Sequence, residues 1–546
     1  MATQAAARCL TPWTGRTIRI AAYLTAFAAL TAYRFAVITG DFRNSDDAGN
    51  FLAGVAVSEG NVRLHGWIMA PENYYPIDVL GEAILKLLLG WHPLLMQGLE
   101  ALIWAAIACV GTALACAGQP PRRLAGIVAT SLALLAFSLF EHGLRDVPLA
   151  NIGSHGGTIL LMLLTFAVAS GNGLAERPKL RATVLCALMT LGSLSDRIYL
   201  VVACLPVLAE AVLALNRRDN VAALIRILIT VAAFVLAHLL LVLNALTGGF
   251  QTSEYPIPLA TFPQIVDQAV FAAQSIVRLL GADPFGRDLQ HGLQSAAAIT
   301  LLRAPFMLMF LIAWWEVGAG VLRRIRRWPP AASARPHADL QHLLWLSLSA
   351  CVASACIMHV IGEDAAIRYF LPASVTGSIL VARRFGRLIL TGAFGTIALL
   401  ASLICGLAFR SPDPPGQVVA APAITRIVEA LRAAHLQHGY AGYWQGNIVT
   451  VLTHRDITSL PVIEQADHRL HAYTYFTNLD WYRTAARAWH GRTFFISEHT
   501  DGAGNDVLLE ATVIRQFGPP AQRIDLGQFV IDVYDLPPGA LHGLDG

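Results

Sequence analysis

The chain has 546 residues, of which 55% are hydrophobic and only 14% charged, with a formal net charge of +3. Soluble proteins carry about 25% charged residues, so the composition argues against a soluble globule, and so small a net charge gives no footing for a nucleic-acid partner. The eight cysteines (Cys9, Cys109, Cys116, Cys186, Cys204, Cys351, Cys356, Cys405) form no CxxC pair, which speaks against a zinc or redox centre, and none lies beyond Cys405 to staple the C-terminal part.

Arg8, Arg16 and Arg19 precede an apolar stretch from about Ile20 to Ile38. It is longer than a signal-peptide core of about 7–15 residues and reads as an uncleaved first span. Further apolar runs bring the spans to 19–39, 93–117, 124–140, 156–170, 181–194, 198–215, 221–246, 296–322, 340–361, 366–382 and 388–409. The sequence thus predicts a polytopic α-helical membrane protein with about eleven transmembrane helices. Every second connection is basic: Arg122 and Arg123; Arg177, Lys179 and Arg181; Arg217 and Arg218; Arg323, Arg324, Arg326 and Arg327; Arg383, Arg384 and Arg387. The alternate connections, about 41–92, 141–155, 195–197, 247–295 and 362–368, are poor in Lys and Arg. Positive-inside orientation then predicts the N-terminus in the cytoplasm and the C-terminus outside it. No similarity between the two halves, of the kind many transporters show, is evident.

The outward segments hold the unusual polar residues. The first, 40–92, opens with Asp41 and the adjacent pair Asp46 and Asp47, and continues through Trp67, Glu72, Asn73, Tyr74, Tyr75 and Asp78. Adjacent residues on a helix point about 100° apart, so one carboxylate can serve as a general base while the other binds locally. The plainer reading is a helix start, since Asn44, Ser45 and Asp46 are all good N-caps. The second segment carries Glu141, His142, Arg145, Asp146, Asn151 and His155; the third is Ser195-Asp196-Arg197; a later one carries Glu363, Asp364, Arg368 and Tyr369. Each holds both signs, so internal salt bridges such as Asp196–Arg197 and Asp364–Arg368 compete with convergence on one outward-facing cavity. An amphipathic stretch near Phe262–Leu280 either covers such a site along the membrane surface or is an inert surface helix. Trp67, Tyr74, Tyr75, Tyr440, Tyr443 and Trp444 serve as interface anchors, core, or platforms for sugar rings.

Beyond a Pro-rich linker after Arg410, residues 410–546 read as a small α/β domain. The expected elements are a helix over Pro422–Gln437, strands at Ile448–Leu452 and Val462–Ile463, and a helix at Trp481–His490. A strand at Arg492–Ile496, a helix at Val507–Phe517 and a strand at Phe529–Tyr534 follow. No phosphate-binding glycine motif is present.

These features together resemble the GT-C superfamily of membrane glycosyltransferases, which includes protein O-mannosyltransferases and aminoarabinose transferases. Asn44-Ser45-Asp46-Asp47 matches the acidic pair of their outer first loop. Ser58-Glu-Gly-Asn-Val-Arg-Leu-His-Gly-Trp67 with Asn73-Tyr74-Tyr75 resembles that loop in bacterial relatives, and Arg368-Tyr369-Phe-Leu-Pro372 resembles a late Arg-Tyr-x-x-Pro stretch. The resemblance covers the layout of the whole chain, with residues 1–409 as the transmembrane module and 410–546 as an extracytoplasmic domain. It implies a multi-pass protein of the bacterial cytoplasmic membrane and a polyprenyl-phosphate-linked sugar as donor. The acceptor would be a glycan, lipid or protein.

The resemblance further implies Asp46 or Asp47 as catalytic base. Arg145, Arg197 or Arg368 would bind the departing phosphate, and Asp146, His155, Asp196, Trp67 and Tyr74 would line the substrate site. A divalent cation is permitted and not required, because family members differ. A second acidic pair common in the superfamily is not clearly present here, although Asp146 and Asp196 are candidates. The competing readings are a non-enzymatic envelope scaffold, in which Asp46 and Asp47 are dispensable, and a lipid or solute transporter, which would carry charges at mid-span.

Overall fold

The computed structural model describes residues 12–38, 45–135, 153–171, 176–215, 220–253, 258–280, 293–326, 338–358, 364–391, 421–489, 491–499 and 507–536. It is mostly helical up to residue 391 and strand-rich after residue 437. The helices are α1 (Pro12–Ile38), α2 (Ser45–Ser58), α3 (Leu80–Leu89), α4 (Leu95–Cys116), α5 (Pro121–Leu135) and α6 (Gly153–Ala169). They continue as α7 (Pro178–Ser195), α8 (Leu205–Leu215), α9 (Asn220–Leu246), α10 (Phe262–Leu279), α11 (Leu293–Arg326), α12 (Leu340–Ile357) and α13 (Leu371–Thr391).

Among the described residues four helical stretches are long and apolar enough to cross a membrane: Leu95–Cys116, Val221–Leu246, Ala304–Arg323 and Leu340–Ile357. That is fewer than the eleven expected. The other predicted stretches up to residue 382 also coincide with helices, but several of these are short or polar. His155–Ala169 and Leu200–Leu215 are apolar and short, α7 opens with Lys179 and Arg181, and α13 carries Arg383, Arg384 and Arg387. The last predicted span, 388–409, lies outside the described residues from 392 onward. Lipid is the solvent that suits α9, which exposes Leu224, Leu228, Val231, Val235, Leu239 and Leu243.

Charged side chains inside the bundle pair across helices in two places among the described residues. Arg34 Nη2 lies 2.7 Å from Glu100 Oε1, joining α1 to α4, and its guanidinium stands 5.4 Å from the Trp104 ring. Arg226 of α9 meets Glu210 of α8 at 3.2 Å. At the basic end of the bundle Arg383 donates to the carbonyls of Leu114, Ala115 and Ala117 at 2.6, 3.2 and 2.9 Å, closing the C-terminus of α4.

The C-terminal domain begins with α14 (Ala421–Ala433), β3 (His438–Ala441), α15 (Tyr443–Leu452), β4 (Thr458–Glu464) and β5 (Leu470–Ala472). It ends with β6 (Thr477–Asn478), α16 (Leu479–Ala488), β7 (Gly491–Glu498), α17 (Glu510–Phe517), β8 (Gln522–Asp525) and β9 (Phe529–Leu536). Its main sheet has the order β5-β4-β3-β7-β9-β8. The β3–β4 and β3–β7 pairs are parallel and the rest antiparallel. One expectation is corrected here: Ile448–Leu452 is the end of helix α15 and not a strand. The helix is buried on nearly every side, so its apolar run lacks the 3.6-residue alternation that marks a half-exposed helix.

The first outer segment is not an open loop. It contains α2, buried from Ser45 to Ala56, then strand β1 (Trp67–Met69), a single π-helical turn at Tyr75–Val79, and α3. β1 sits at the centre of a three-stranded sheet, between β2 (Gln251–Thr252) and β6 of the C-terminal domain. Ile68 pairs with Gln251 on one side and Thr477 on the other. Segments expected to share one face, 41–92, 247–295 and the C-terminal domain, are therefore hydrogen-bonded together. Close packing continues at Gly49 of α2, where a Cβ would come 2.7 Å from Phe476 Cβ; only glycine lets the two backbones approach this far.

Candidate active site

Asp46 and Asp47 lie in the first turn of α2, where the partial positive charge of the helix end favours carboxylates. Both are nearly buried. The C-terminal domain reaches this turn through Tyr443: its hydroxyl donates to Asp46 Oδ1, and the Ser45 hydroxyl donates to the Tyr443 carbonyl. Burial first, and the Asp46 charge second, push the Tyr443 phenol well above its ordinary range, so it stays a neutral donor.

The other Asp46 oxygen, Oδ2, is 4.0 Å from Arg368 Nη1. Arg368 ends a short 3-10 helix, Asp364–Phe370, that leads into α13. Phe271 of α10 packs edge-on against Phe370 at 6.0 Å, so the amphipathic helix does cover this element. The Arg368 guanidinium stands 5.4 Å from the Tyr369 ring, and its Nε has no hydrogen-bond partner among the described residues. Arg368 thus reaches the first outer segment, while the Asp364 side chain of the expected Asp364–Arg368 pair lies outside what is described.

Tyr369 carries the contact onward. Its ring lies 5.4 Å from His155 at the start of α6. His155 Nδ1 is 2.9 Å from Asp196 Oδ2, which also accepts from Thr158 Oγ1 at 2.7 Å. Asp196 Oδ1 accepts from the Ile198 amide at 2.8 Å, and the side chain is 0% exposed. Asp196 is therefore held by His155, Thr158 and a backbone amide, not by neighbouring Arg197, which is exposed. Tyr74 fills the space between. Its ring is edge-on to His155 at 5.5 Å and parallel to Phe476 at 6.3 Å. Its backbone takes the left-handed conformation, φ 49°, a strain of the kind that concentrates at functional sites.

Acidic groups missed as site residues also gather here. Burial and the Asp196 charge raise the Glu72 carboxyl above its ordinary range, with His155 and Arg197 opposing. Asp78, on the π-helical turn, is buried with Oδ2 unpartnered among the described residues; burial, then Glu82 and Asp196, push its carboxyl well above the usual range. A Cβ on Gly157 would come 2.7 Å from Asp78 Oδ2, so the glycine leaves room for the carboxyl against α6.

One residue expected at the site is not brought into it, and two others cannot be placed there or elsewhere. Trp67 is buried in the core, edge-on to Trp481 at 5.2 Å, and has no face to offer a substrate. Arg145 and Asp146 lie outside the described residues. Besides Tyr369, two aromatic side chains that the sequence did not single out, Tyr473 and Tyr475, border the site. Their signal was the aromatic density of Tyr473-Thr-Tyr475-Phe476. Among the described residues no group of three or more His, Cys, Asp or Glu side chains converges to hold a metal ion.

No family model matches the chain, and no curated protein is significantly similar to it.

Proposed function

We propose that the protein is a membrane glycosyltransferase that moves a sugar from a polyprenyl-phosphate-linked donor to an acceptor at the outer face of the cytoplasmic membrane. One observation carries the reading. A nearly buried carboxylate, Asp46, faces a guanidinium, Arg368, where apolar helices meet a domain of soluble character. Such a boundary suits a reaction whose donor has a lipid tail and a polar head.

In the proposed step an acceptor hydroxyl attacks C1 of the donor sugar. The new O–C1 bond forms as the C1–O bond to phosphate breaks. The hydroxyl proton passes to Asp46 or Asp47, and the electron pair of the broken bond leaves on the polyprenyl phosphate. Arg368 supplies charge-assisted hydrogen bonds to that phosphate, with Nε still unpartnered. The accompanying topology is eleven spans, N-terminus inside and C-terminal domain outside, which keeps the basic connections on the cytoplasmic side.

A second reading, a non-enzymatic scaffold, draws on the same contacts: Asp46 on Tyr443 and Asp196 on His155 also resemble a structural polar network. Transfer from labelled polyprenyl-phosphate sugars by the purified protein separates the two. Under the enzymatic reading wild type transfers label, and Asp46→Asn or Asp47→Asn lowers the rate about 100-fold or more while the protein stays folded. Wild-type rates in both variants would remove the general-base assignment, and no transfer by wild type from any donor would favour the scaffold.

A further inference from the structure

The C-terminal domain presents an aromatic corner beside Asp46 that the reaction above does not use. Tyr443 is fully packed: Tyr473 lies 4.7 Å from it in a tilted arrangement, Tyr475 edge-on at 5.7 Å, and Trp444 edge-on at 5.1 Å. Tyr473 and Tyr475 stand nearly perpendicular, 71° apart, with centroids 6.0 Å apart. Unlike Tyr443, the rings of Trp444, Tyr473 and Tyr475 are only half-buried. Tyr475 lies within electrostatic reach of Asp46, Glu72 and Arg368, which sets the corner next to the carboxylate–guanidinium pair.

We propose that Trp444, Tyr473 and Tyr475 form the acceptor subsite and that it takes a saccharide ring. The proposal deepens the glycosyltransferase reading by naming the acceptor class. A pyranose has an apolar C–H face and a rim of hydroxyls. Ring faces set at an angle receive the first, and phenol and indole tips hydrogen-bond the second. A polyprenyl chain uses neither the tips nor a surface on the soluble domain. A sugar seated there brings its hydroxyls to the first turn of α2, where Asp46 and Asp47 lie. The carboxylates and Arg368 then serve the reacting groups, and the domain holds the acceptor.

Saturation-transfer NMR on the full-length protein in lipid nanodiscs tests this, with maltose, mannobiose, cellobiose and methyl arabinofuranoside as probes. At least one probe is expected to receive saturation from wild type. Trp444→Leu and Tyr475→Leu should reduce that signal about tenfold, whereas Tyr475→Phe and Trp444→Phe, which keep the ring face, retain most of it. Melting curves identify any variant that fails to fold, and the Phe variants carry the test in that case, with Trp444 fluorescence quenching by the same sugar as a second readout. No signal from any probe with wild type, or an undiminished signal in both folded Leu variants, overturns the subsite. Asp46→Asn is expected to bind sugar normally and lose transfer. Sugar binding without transfer in wild type would leave the subsite standing and count against the enzymatic reading alone.

Discussion

Tyr443 and Asp46 stand 397 positions apart in the chain and share a buried hydrogen bond. The phenol belongs to the C-terminal domain and the carboxylate to the first turn after α1. Removing the donor leaves a nearly buried carboxylate oxygen short of a partner. Tyr443→Phe should therefore destabilise the protein by about 1–3 kcal/mol, read as a lower midpoint in thermal unfolding in detergent. If the enzymatic reading holds, the same variant lowers kcat more than it changes KM, because Tyr443 orients Asp46 and does not touch the donor. An unchanged midpoint would show that the bond contributes nothing.

The three-stranded sheet makes a topological prediction. His65 Nδ1 and Asp480 Oδ2 are 3.4 Å apart and both side chains are accessible. In a variant lacking native cysteines, His65→Cys with Asp480→Cys should be joined in cells by a short membrane-impermeant thiol cross-linker. Neither single variant should give the product. Labelling of one position from outside and the other only from the cytoplasm would contradict the sheet.

Arg34 and Glu100 form a deeply buried ion pair that links two helices of the bundle, at 2.7 Å. Glu100→Leu alone takes this carboxylate from a buried guanidinium and should cost up to about 3–5 kcal/mol. Arg34→Met with Glu100→Leu removes both charges and should recover most of that loss. The check is the unfolding midpoint of the two single variants and the double one; additive losses would deny the pair.

Asp532 gives a pH prediction. It is 0% exposed on β9, with both carboxylate oxygens unpartnered. Arg523 is its cross-strand neighbour on β8 and Phe495 on β7. Burial, then the Glu510 charge, raise the carboxyl to about 6, with Arg523 and His499 opposing. Because the folded value lies above the ordinary one, the native state holds a proton that the unfolded chain has released. Stability contributed here is full below about pH 3.8, falls as pH rises through about 6, and stays low above it. Asp532→Asn should raise the unfolding midpoint at pH 7.5, by up to about 1–3 kcal/mol in stability, and flatten its slope between pH 4 and 7. A midpoint that falls at pH 7.5 would show that the carboxylate is wanted in its charged form.

Periodicity and charge made most of the helices legible, because an apolar run long enough to cross a bilayer has few alternatives. They offered α2 only as a helix start at Asn44, Ser45 and Asp46, without its extent; the polar opening Ser45-Asp46-Asp47-Ala-Gly49-Asn50 is held as helix against α3 and α15, which bury it. They misread α15 for the converse reason, that a helix buried all round shows no polar face. At the site, Asp46, Tyr74, His155, Asp196 and Arg368 were readable as charged or aromatic residues close to predicted span ends, and the fold gathers them. The partner of each was not readable. Asp196 takes His155 over adjacent Arg197, and Asp46 takes Tyr443, because side-chain direction and tertiary packing choose partners that proximity in sequence does not. Trp67 failed as a site residue for the same reason: its strand turns it toward Trp481.

The central position of β1 in its small sheet sets an order of assembly. During synthesis this strand emerges early, yet its two neighbours, Gln251–Thr252 and Thr477–Asn478, arrive much later in the chain. Until the last of them has been made, the strand keeps backbone donors and acceptors without mates. This end of the protein is therefore a late product of biogenesis, finished only after nearly the whole polypeptide has left the ribosome. Chains halted before about residue 480 hold every bundle helix described and still lack that closure, which makes them natural substrates for quality control.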